Sequence, residues 1–152
     1  MIRLATPKDL PRLMELSKDY HFASRFKRFA LWEDSTEGWQ NLLLSSIEGP
    51  ETDIIVYEKD DVVVGYIMAY ILPMLWRPGI KVARVVGIWV DPGSRSLGIG
   101  SLLMRAFLIW AKEQGAEWAA TGSGTKTGTR AANALARSHG FELEERMFIR
   151  RV

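Results

Sequence analysis

The chain contains no cysteine, and this absence excludes several kinds of chemistry at once. Without thiols there is no disulfide, no thiolate nucleophile and no zinc site built on sulfur. Histidine is scarce as well. The two histidines, His21 and His139, are too far apart in the sequence to form a helical ligand pair. We therefore expect no metal site.

Long hydrophobic runs and a strong charge imbalance are also missing. No apolar stretch reaches the roughly 20 residues of a membrane-spanning helix, and the N-terminus lacks the pattern of a signal peptide. The net charge is only +2. The arginines at 146, 150 and 151 are better explained by a guarded strand edge than by a basic binding surface. We expect a cytoplasmic protein with no membrane or nucleic-acid partner.

The composition is that of a globular domain, with 47% hydrophobic and 25% charged residues in a chain of 152. A chain of this length buries about 70% of the surface that it exposes when unfolded, which is enough for a core without cross-links. No internal repeat or low-complexity linker divides it. The sequence therefore predicts a single domain over residues 1–152.

The clearest pattern lies in residues 85–114. A short, mostly apolar run ends at Asp91-Pro92-Gly93, which is a turn composition. Farther on, apolar residues recur at the spacing of a core-facing helix, with Lys112 in the last turn and Gly115 placed to end it. That helical stripe consists of Ile99, Leu102, Leu103, Ala106 and Trp110. We predict a buried strand, a tight turn, a loop and a helix.

The loop of residues 95–101, Arg-Ser-Leu-Gly-Ile-Gly-Ser, has the chemistry of an anion site. The first amides of a helix lack intrahelical partners and carry a partial positive charge. Gly98 and Gly100 let a phosphate approach the backbone closely, and Arg95 adds a permanent cation. The pattern is neither a P-loop nor a dinucleotide fingerprint. Turn chemistry with packing is the alternative to a phosphate or pyrophosphate site.

The spacing of Arg95, Gly98 and Gly100, after the Val-x-Pro of residues 90–92, resembles the acyl-CoA pyrophosphate loop of the GNAT superfamily of N-acetyltransferases. The predicted order of strand, helix, helix, three strands, helix, strand, helix, strand is that of the family, and residues 136–141 are similar to its terminal helix and Gly-Phe strand. The predicted helices cover about 7–20, 35–47, 98–114 and 129–138, and the strands about 2–4, 54–58, 62–72, 81–90, 117–121 and 141–149, with a hairpin turn at 59–61 and a loop at 72–79.

The resemblance implies an α/β fold of the α+β kind, in which about four helices flank a mixed central sheet of about six to seven strands. It also implies a V-shaped splay between the fourth and fifth strands, with acetyl-CoA as the co-substrate in the gap. The implied cofactor-binding residues are Ile88, Trp89 and Val90 on the strand, Arg95, Ser96, Leu97, Gly98, Ile99, Gly100 and Ser101 in the loop, and Thr129, which takes the place of a family asparagine.

The implied reaction is direct attack of an amine on the acetyl thioester. The amine must lose a proton before it attacks, and the departing thiolate benefits from an acid. Family members often use a tyrosine as that acid, four residues before the glycine of Gly-Phe, but here this position is Ala136. The thiolate must therefore leave without that acid, or a water, Ser138 or Thr129 must supply the proton.

The base and the acceptor pocket are less well defined by the sequence. His21 and the carboxylates of Glu33, Asp34 and Glu37 are base candidates, although surface or capping roles explain each of them as well. Four aromatic residues that either line an acceptor pocket or only pack the first helices are Phe22, Phe26, Phe29 and Trp32.

Three functions are open at this point. The first is an acetyl-CoA-dependent N-acetyltransferase that acts on an amine of a small molecule or a protein. The second is a non-catalytic acyl-CoA-binding module of the GNAT fold that serves as a sensor or scaffold, which Ala136 and Thr129 favour. The third is a helix-start site for another phosphorylated metabolite.

Lys126 and Arg130 either reach the 3′-phosphate of CoA or belong to a surface loop. Trp76 and the last strand are a candidate contact surface for a homodimer.

Overall fold

The computed structural model describes residues 1–122, 129–143 and 150, with side chains for all of these except Arg25, Phe26 and Thr129. In chain order, the described part contains β1 (Ile2–Leu4), α1 (Leu10–Ala23), α2 (Trp32–Glu48), β2 (Thr52–Lys59), β3 (Val62–Met74), β4 (Arg77–Val90), α3 (Ile99–Glu113), β5 (Trp118–Ala120) and α4 (Thr129–Ser138). Short 3-10 turns cover Pro7–Asp9, Arg25–Arg28 and Pro92–Ser94. The predicted order is confirmed for these elements, and the predicted last strand falls largely outside the described residues.

The five strands form one mixed sheet in the order β1-β2-β3-β4-β5. Neighbours are antiparallel except β4 and β5, which are parallel because α3 crosses over between them. Helices α1 and α2 cover one face, and α3 covers the other. The central β3 is buried on both faces, as its continuous apolar run predicts, with Tyr66 in the α1 core and Ile67 in the α3 core.

The two hairpin connections differ from each other. Between β2 and β3, Asp60 and Asp61 both have positive φ, 51° and 61°, which confirms the predicted tight turn. Between β3 and β4 the predicted loop at 72–79 is wrong, because the strands continue to a turn at Leu75 and Trp76. Pro73 is tolerated there because the pairing of β3 with β2 ends at Tyr70. Among the described residues, the proline therefore has a strand neighbour on one side alone, which is β4.

The start of α1 is held by an ion pair. The carboxylate of Asp9 accepts two hydrogen bonds of 2.8 Å from the Arg3 guanidinium and one of 2.7 Å from the Thr6 amide. The hydroxyl of Thr6 also donates to the Asp9 carboxylate, at 3.1 Å. The Arg3 guanidinium, helped by the Thr6 amide, lowers the pKa of Asp9 to about 2.

Helices α1 and α2 extend beyond their predicted ends. Helix α1 continues to Ala23, and α2 begins at Trp32 because that ring is buried against the core, while Glu33 and Asp34 favour the positive end of the helix. In α3 the buried row that faces the sheet consists of residues 99, 103, 107 and 111. Leu102, which was predicted to face the core, is therefore exposed. No helix in the described part of the chain is both long and apolar enough to cross a membrane.

Candidate functional site

The sheet opens between β4 and β5. The two strands pair only at residues 82–84 of β4, opposite 118–120 of β5. Beyond Arg84, β4 runs on to Val90 with β3 on one side and no strand among the described residues on the other. A register shift opposite Met68 and Ala69 leaves Val86 out of the β3 pairing. The predicted splay is therefore present, and it exposes a strand edge to a ligand.

The end of β4 is anchored from the opposite face of the sheet. The carboxylate of Asp91 accepts a hydrogen bond of 2.8 Å from the Arg12 Nη2 on α1, and Arg12 also donates through Nε to the carbonyl of Val63 at 3.0 Å. The second oxygen of Asp91 accepts from the amide of Gly93 at 3.3 Å. These bonds fix where the strand stops and the loop begins.

The loop delivers three free amides at the start of α3. Gly98 takes the left-handed conformation, φ 72°, and its carbonyl accepts the first helical bond, from Leu102 at 3.1 Å. The amides of Ile99, Gly100 and Ser101 precede that bond, and none of them has a hydrogen-bond partner among the described residues. At Gly98 a Cβ would meet nothing within 4 Å. The space next to Gly98, where the predicted anion site begins, is therefore open.

Arg95, in the same loop, is held in a defined position. Its Nε donates to the carbonyl of Val90 at 3.0 Å, and its guanidinium lies over the Trp89 ring at 4.5 Å from the ring centre. Its two terminal nitrogens have no partner in the described residues. The side chain is exposed. One edge of the cation is therefore fixed while the other is free to meet an anion.

Helix α4 closes the other side of the gap. A small cleft of about 50 Å3 lies between β4, α3 and α4, and its lining is Ile88, Met104, Thr121, Gly122, Ala132, Asn133, Leu135 and Ala136. Leu135 approaches Gly100, since a Cβ built there would lie 3.6 Å from its Cδ2 atom. The hydroxyl of Ser101 is 2.8 Å from the Nε2 atom of His139, just after the end of α4. These contacts join the loop to the cleft wall.

Three of the predicted base and acid candidates, His21, Glu33 and Ser138, do not line this cleft. His21 is 2% exposed, and neither ring nitrogen has a hydrogen-bond partner in the described part of the chain. Glu33 is exposed at the start of α2. Ser138 is also exposed, and its hydroxyl donates to the Leu135 carbonyl at 2.8 Å. The structure therefore places none of these three side chains in the lining of the cleft.

The predicted acceptor aromatics are in mixed surroundings. Trp32 is buried and its ring lies 5.5 Å from that of His21, whereas Phe22 and Phe29 are about half exposed. The side chains of Phe26 and Thr129 and all of Lys126 lie outside the described residues. Groups of at least three residues that could hold a metal ion do not occur among the described residues.

Two features of the site escaped the sequence reasoning. One is a chain of ring contacts in which Tyr20 lies 5.9 Å from Trp89 and 6.1 Å from Trp39, linking β4 to α1 and α2. Gly87 was the available signal, because a glycine inside a strand often marks a close approach, and a Cβ there would lie 3.2 Å from the Tyr20 ring. The other is His139, whose partner Ser101 is 38 residues away.

Comparison with known proteins agrees with this geometry. The chain superposes on the aminoglycoside N-acetyltransferase AAC(6')-Iy in complex with CoA with a TM-score of 0.78 at 20% identity, covering 100% of this chain and 93% of that one. It is similar to a ribosomal-protein-alanine N-acetyltransferase from Brucella melitensis biovar Abortus 2308, with a TM-score of 0.77, 18% identity and 100% and 98% covered. It is also similar to a transcriptional regulator from Bacillus halodurans C-125, with a TM-score of 0.82, 20% identity and 100% and 99% covered.

At these identities the solved structures show a shared fold. A search of curated proteins by sequence found no match. The family model of the acetyltransferase (GNAT) family, however, matches residues 10–141, which is most of the chain. Together with the splayed strands and the free amides of the loop, this match establishes that the chain belongs to the acetyltransferase (GNAT) family.

Proposed function

We propose that the protein is an N-acetyltransferase that moves the acetyl group of acetyl-CoA to an amine. One observation carries the proposal: within the described part of the chain, the amides of Ile99, Gly100 and Ser101 have no hydrogen-bond partner, and the nearby edge of β4 has no strand neighbour after Arg84. Amides at a helix start suit a pyrophosphate, and an unpaired strand edge suits the amide groups of pantetheine. CoA is a molecule that contains both.

Several residues would hold the co-substrate. The loop of residues 95–101 takes the pyrophosphate on its amides, and the free edge of Arg95 adds a cation in the same loop. The backbone of Ile88, Trp89 and Val90 accepts pantetheine as an added strand. Because Arg95 already donates to the carbonyl of Val90, that carbonyl contributes less to the pairing than the groups of Ile88. Thr129, at the start of α4, completes the site.

The reaction exchanges one bond to the acetyl carbon for another. The amine nitrogen forms a C–N bond with the carbonyl carbon, the C–S bond breaks, and CoA leaves as a thiolate. The proton that the ammonium must lose first goes to a base or to water, and the thiolate takes up a proton as it departs. His21 and Glu33 are the base candidates, and each would act through water because neither lines the cleft.

The acid is the weakest part of this chemistry. Ala136 lines the cleft at the place where relatives often have a tyrosine, and it has no proton to give. Thr121 also lines the cleft and offers a hydroxyl, whereas Ser138 would first have to release the carbonyl of Leu135. Losing a dedicated acid should slow turnover about 10- to 100-fold, because acid–base assistance contributes about 100- to 10,000-fold and a CoA thiol is already a good leaving group.

The acceptor is an amine of a small molecule or a protein. Phe22, Phe29 and Trp32 lie on the α1–α2 side of the sheet, which is the side opposite α3. We assign acceptor binding to this side together with Phe26. The relatives act on amines as different as aminoglycosides and a ribosomal protein, according to their names, so they do not choose between these two classes.

A non-catalytic acyl-CoA-binding module is the alternative, and Ala136 in the cleft lining favours it. Isothermal titration with acetyl-CoA, combined with release of free thiol across a panel of amines, separates the two functions. Binding with amine-dependent thiol release supports the transferase. Binding without release for any amine supports the module, and no binding of acetyl-CoA overturns both.

A further inference from the structure

The contact between Ser101 and His139 joins α3 and the end of α4, the two helices that border the proposed site. Ser101 lies in the first turn of α3 and supplies the third free amide of the loop. His139 follows the last residue of α4, the helix that forms one wall of the cleft. The Ser101 Oγ and His139 Nε2 atoms are 2.8 Å apart, which is a good hydrogen-bond distance.

The backbone holds His139 in place for this contact. Gly140 takes the left-handed conformation, φ 82°, and the amide of Phe141 donates to the carbonyl of Ala136 at 3.1 Å. The amide of Gly140 donates to the carbonyl of Arg137, also at 3.1 Å. These two bonds form a Schellman motif, which ends α4 in a defined geometry and leaves the His139 side chain beside α3.

We propose that His139 is a positioning residue for the pyrophosphate of acetyl-CoA, acting through the hydroxyl of Ser101. This inference rests on the proposed function of the loop. A serine hydroxyl has one hydrogen to donate, so it either donates to His139 or accepts from it. A phosphate at the loop favours the second arrangement: the His139 ring N–H donates to Ser101 Oγ, and the hydroxyl hydrogen is left for a phosphate oxygen. The serine is thereby oriented toward the anion, and α4 is tied to the loop.

The test uses two substitutions of similar size at residue 139. His139→Leu removes the hydrogen bond, and His139→Gln keeps a side-chain N–H that can donate to Ser101. We expect His139→Leu to raise the dissociation constant of CoA about 10-fold, since hydrogen bonds to charged groups are worth about that much. His139→Gln should stay within about threefold of the wild type.

A second ligand separates anion positioning from a general effect on folding. The adenosine 3′-phosphate 5′-diphosphate part of CoA contains the pyrophosphate and lacks pantetheine. His139→Leu should weaken its binding by the same factor as that of CoA, whereas S-acetylpantetheine, which lacks the pyrophosphate, should be used at an unchanged rate. In assays with acetyl-CoA, the KM should rise about 10-fold and kcat should change by less than about twofold.

Ser101→Ala should reproduce the effect of His139→Leu, and the double variant should be no worse than either single one, because both remove the same contact. Ser45→Ala is the control, since Ser45 is also a helical serine whose hydroxyl makes one hydrogen bond, here to the carbonyl of Leu42, but it lies on α2. Equal CoA affinity in His139→Leu and the wild type would overturn this inference alone. Failure of the wild type itself to bind CoA would overturn the proposed function with it.

Discussion

The two faces of the sheet present different kinds of surface. On the α3 face, the site consists mainly of backbone: three amides at a helix start and the edge of a strand. On the α1–α2 face, the same strand carries Trp89, which packs with Tyr20 and the rings beyond it. A backbone site tolerates most side-chain changes except those that fill it, whereas a packed aromatic cluster responds to almost any change of shape. Substitutions should therefore separate ligand binding from stability.

Gly100→Glu should give the largest effect of all, and this effect should be on CoA binding alone. The new carboxylate would stand where the phosphate belongs, so the dissociation constant of CoA should rise at least about 100-fold. The fold should persist, because a Cβ at Gly100 makes only an ordinary contact of 3.6 Å with Leu135. Isothermal titration and thermal unfolding measure the two effects.

Gly38→Glu is the control for that substitution, since it places the same side chain on a helical glycine of α2 where a Cβ meets nothing within 4 Å. It should leave CoA affinity unchanged. An unchanged affinity in Gly100→Glu would remove the loop from the site.

Gly87→Val should have the opposite effect, which is a loss of stability with CoA affinity unchanged. A Cβ at Gly87 would lie 3.2 Å from the Tyr20 ring, so the larger side chain forces the aromatic cluster apart. We expect the free energy of unfolding to fall by about 1–3 kcal/mol, as for other overpacked cores. Denaturant unfolding measures this loss. A variant as stable as the wild type would mean that the cluster is loosely packed, and the contrast between the two faces would disappear.

Asp9→Asn tests the anchor of α1, on the same face. The folded state lowers the pKa of Asp9 to about 2 from its ordinary 3.8, so the carboxylate contributes stability above pH 3.8 that is lost as the pH falls toward 2. At pH 7 the variant should lose about 2 kcal/mol of unfolding free energy. Between pH 4 and pH 2 the wild type should lose stability more steeply than Asp9→Asn. Parallel stability curves over this range would contradict the assignment.

His21→Phe should have the smallest effect on stability. Both ring nitrogens of His21 are buried without a hydrogen-bond partner in the described residues, and an unsatisfied buried polar group costs about 1–3 kcal/mol. An apolar ring of similar size should therefore raise the unfolding free energy by about 1 kcal/mol. If His21 is also the base, the same variant lowers kcat for amine acetylation while leaving CoA affinity unchanged. If the variant is instead less stable than the wild type, a ring nitrogen of His21 has a hydrogen-bond partner in solution.

The sequence was most informative where local chemistry decides the structure. The turn at Asp60 and Asp61 and the start of α3 both follow from residues within a few positions of one another. The turn at Leu75 and Trp76 was misjudged because proline argues locally for a loop. What permits Pro73 in a strand is that β2 begins only at Thr52, which pairs with Tyr70, and periodicity within one segment does not reveal this.

By itself, the sequence determined the order of the elements and the loop with its free amides, because the hydrophobic period and the backbone preferences of glycine and proline act over short distances. Tertiary structure alone decided that Arg95 lies on Trp89, that Tyr20 fills the space above Gly87 and that Ser101 meets His139. Each of these contacts joins different elements of the fold, and side-chain pairs of this kind depend on how helices and strands pack in three dimensions.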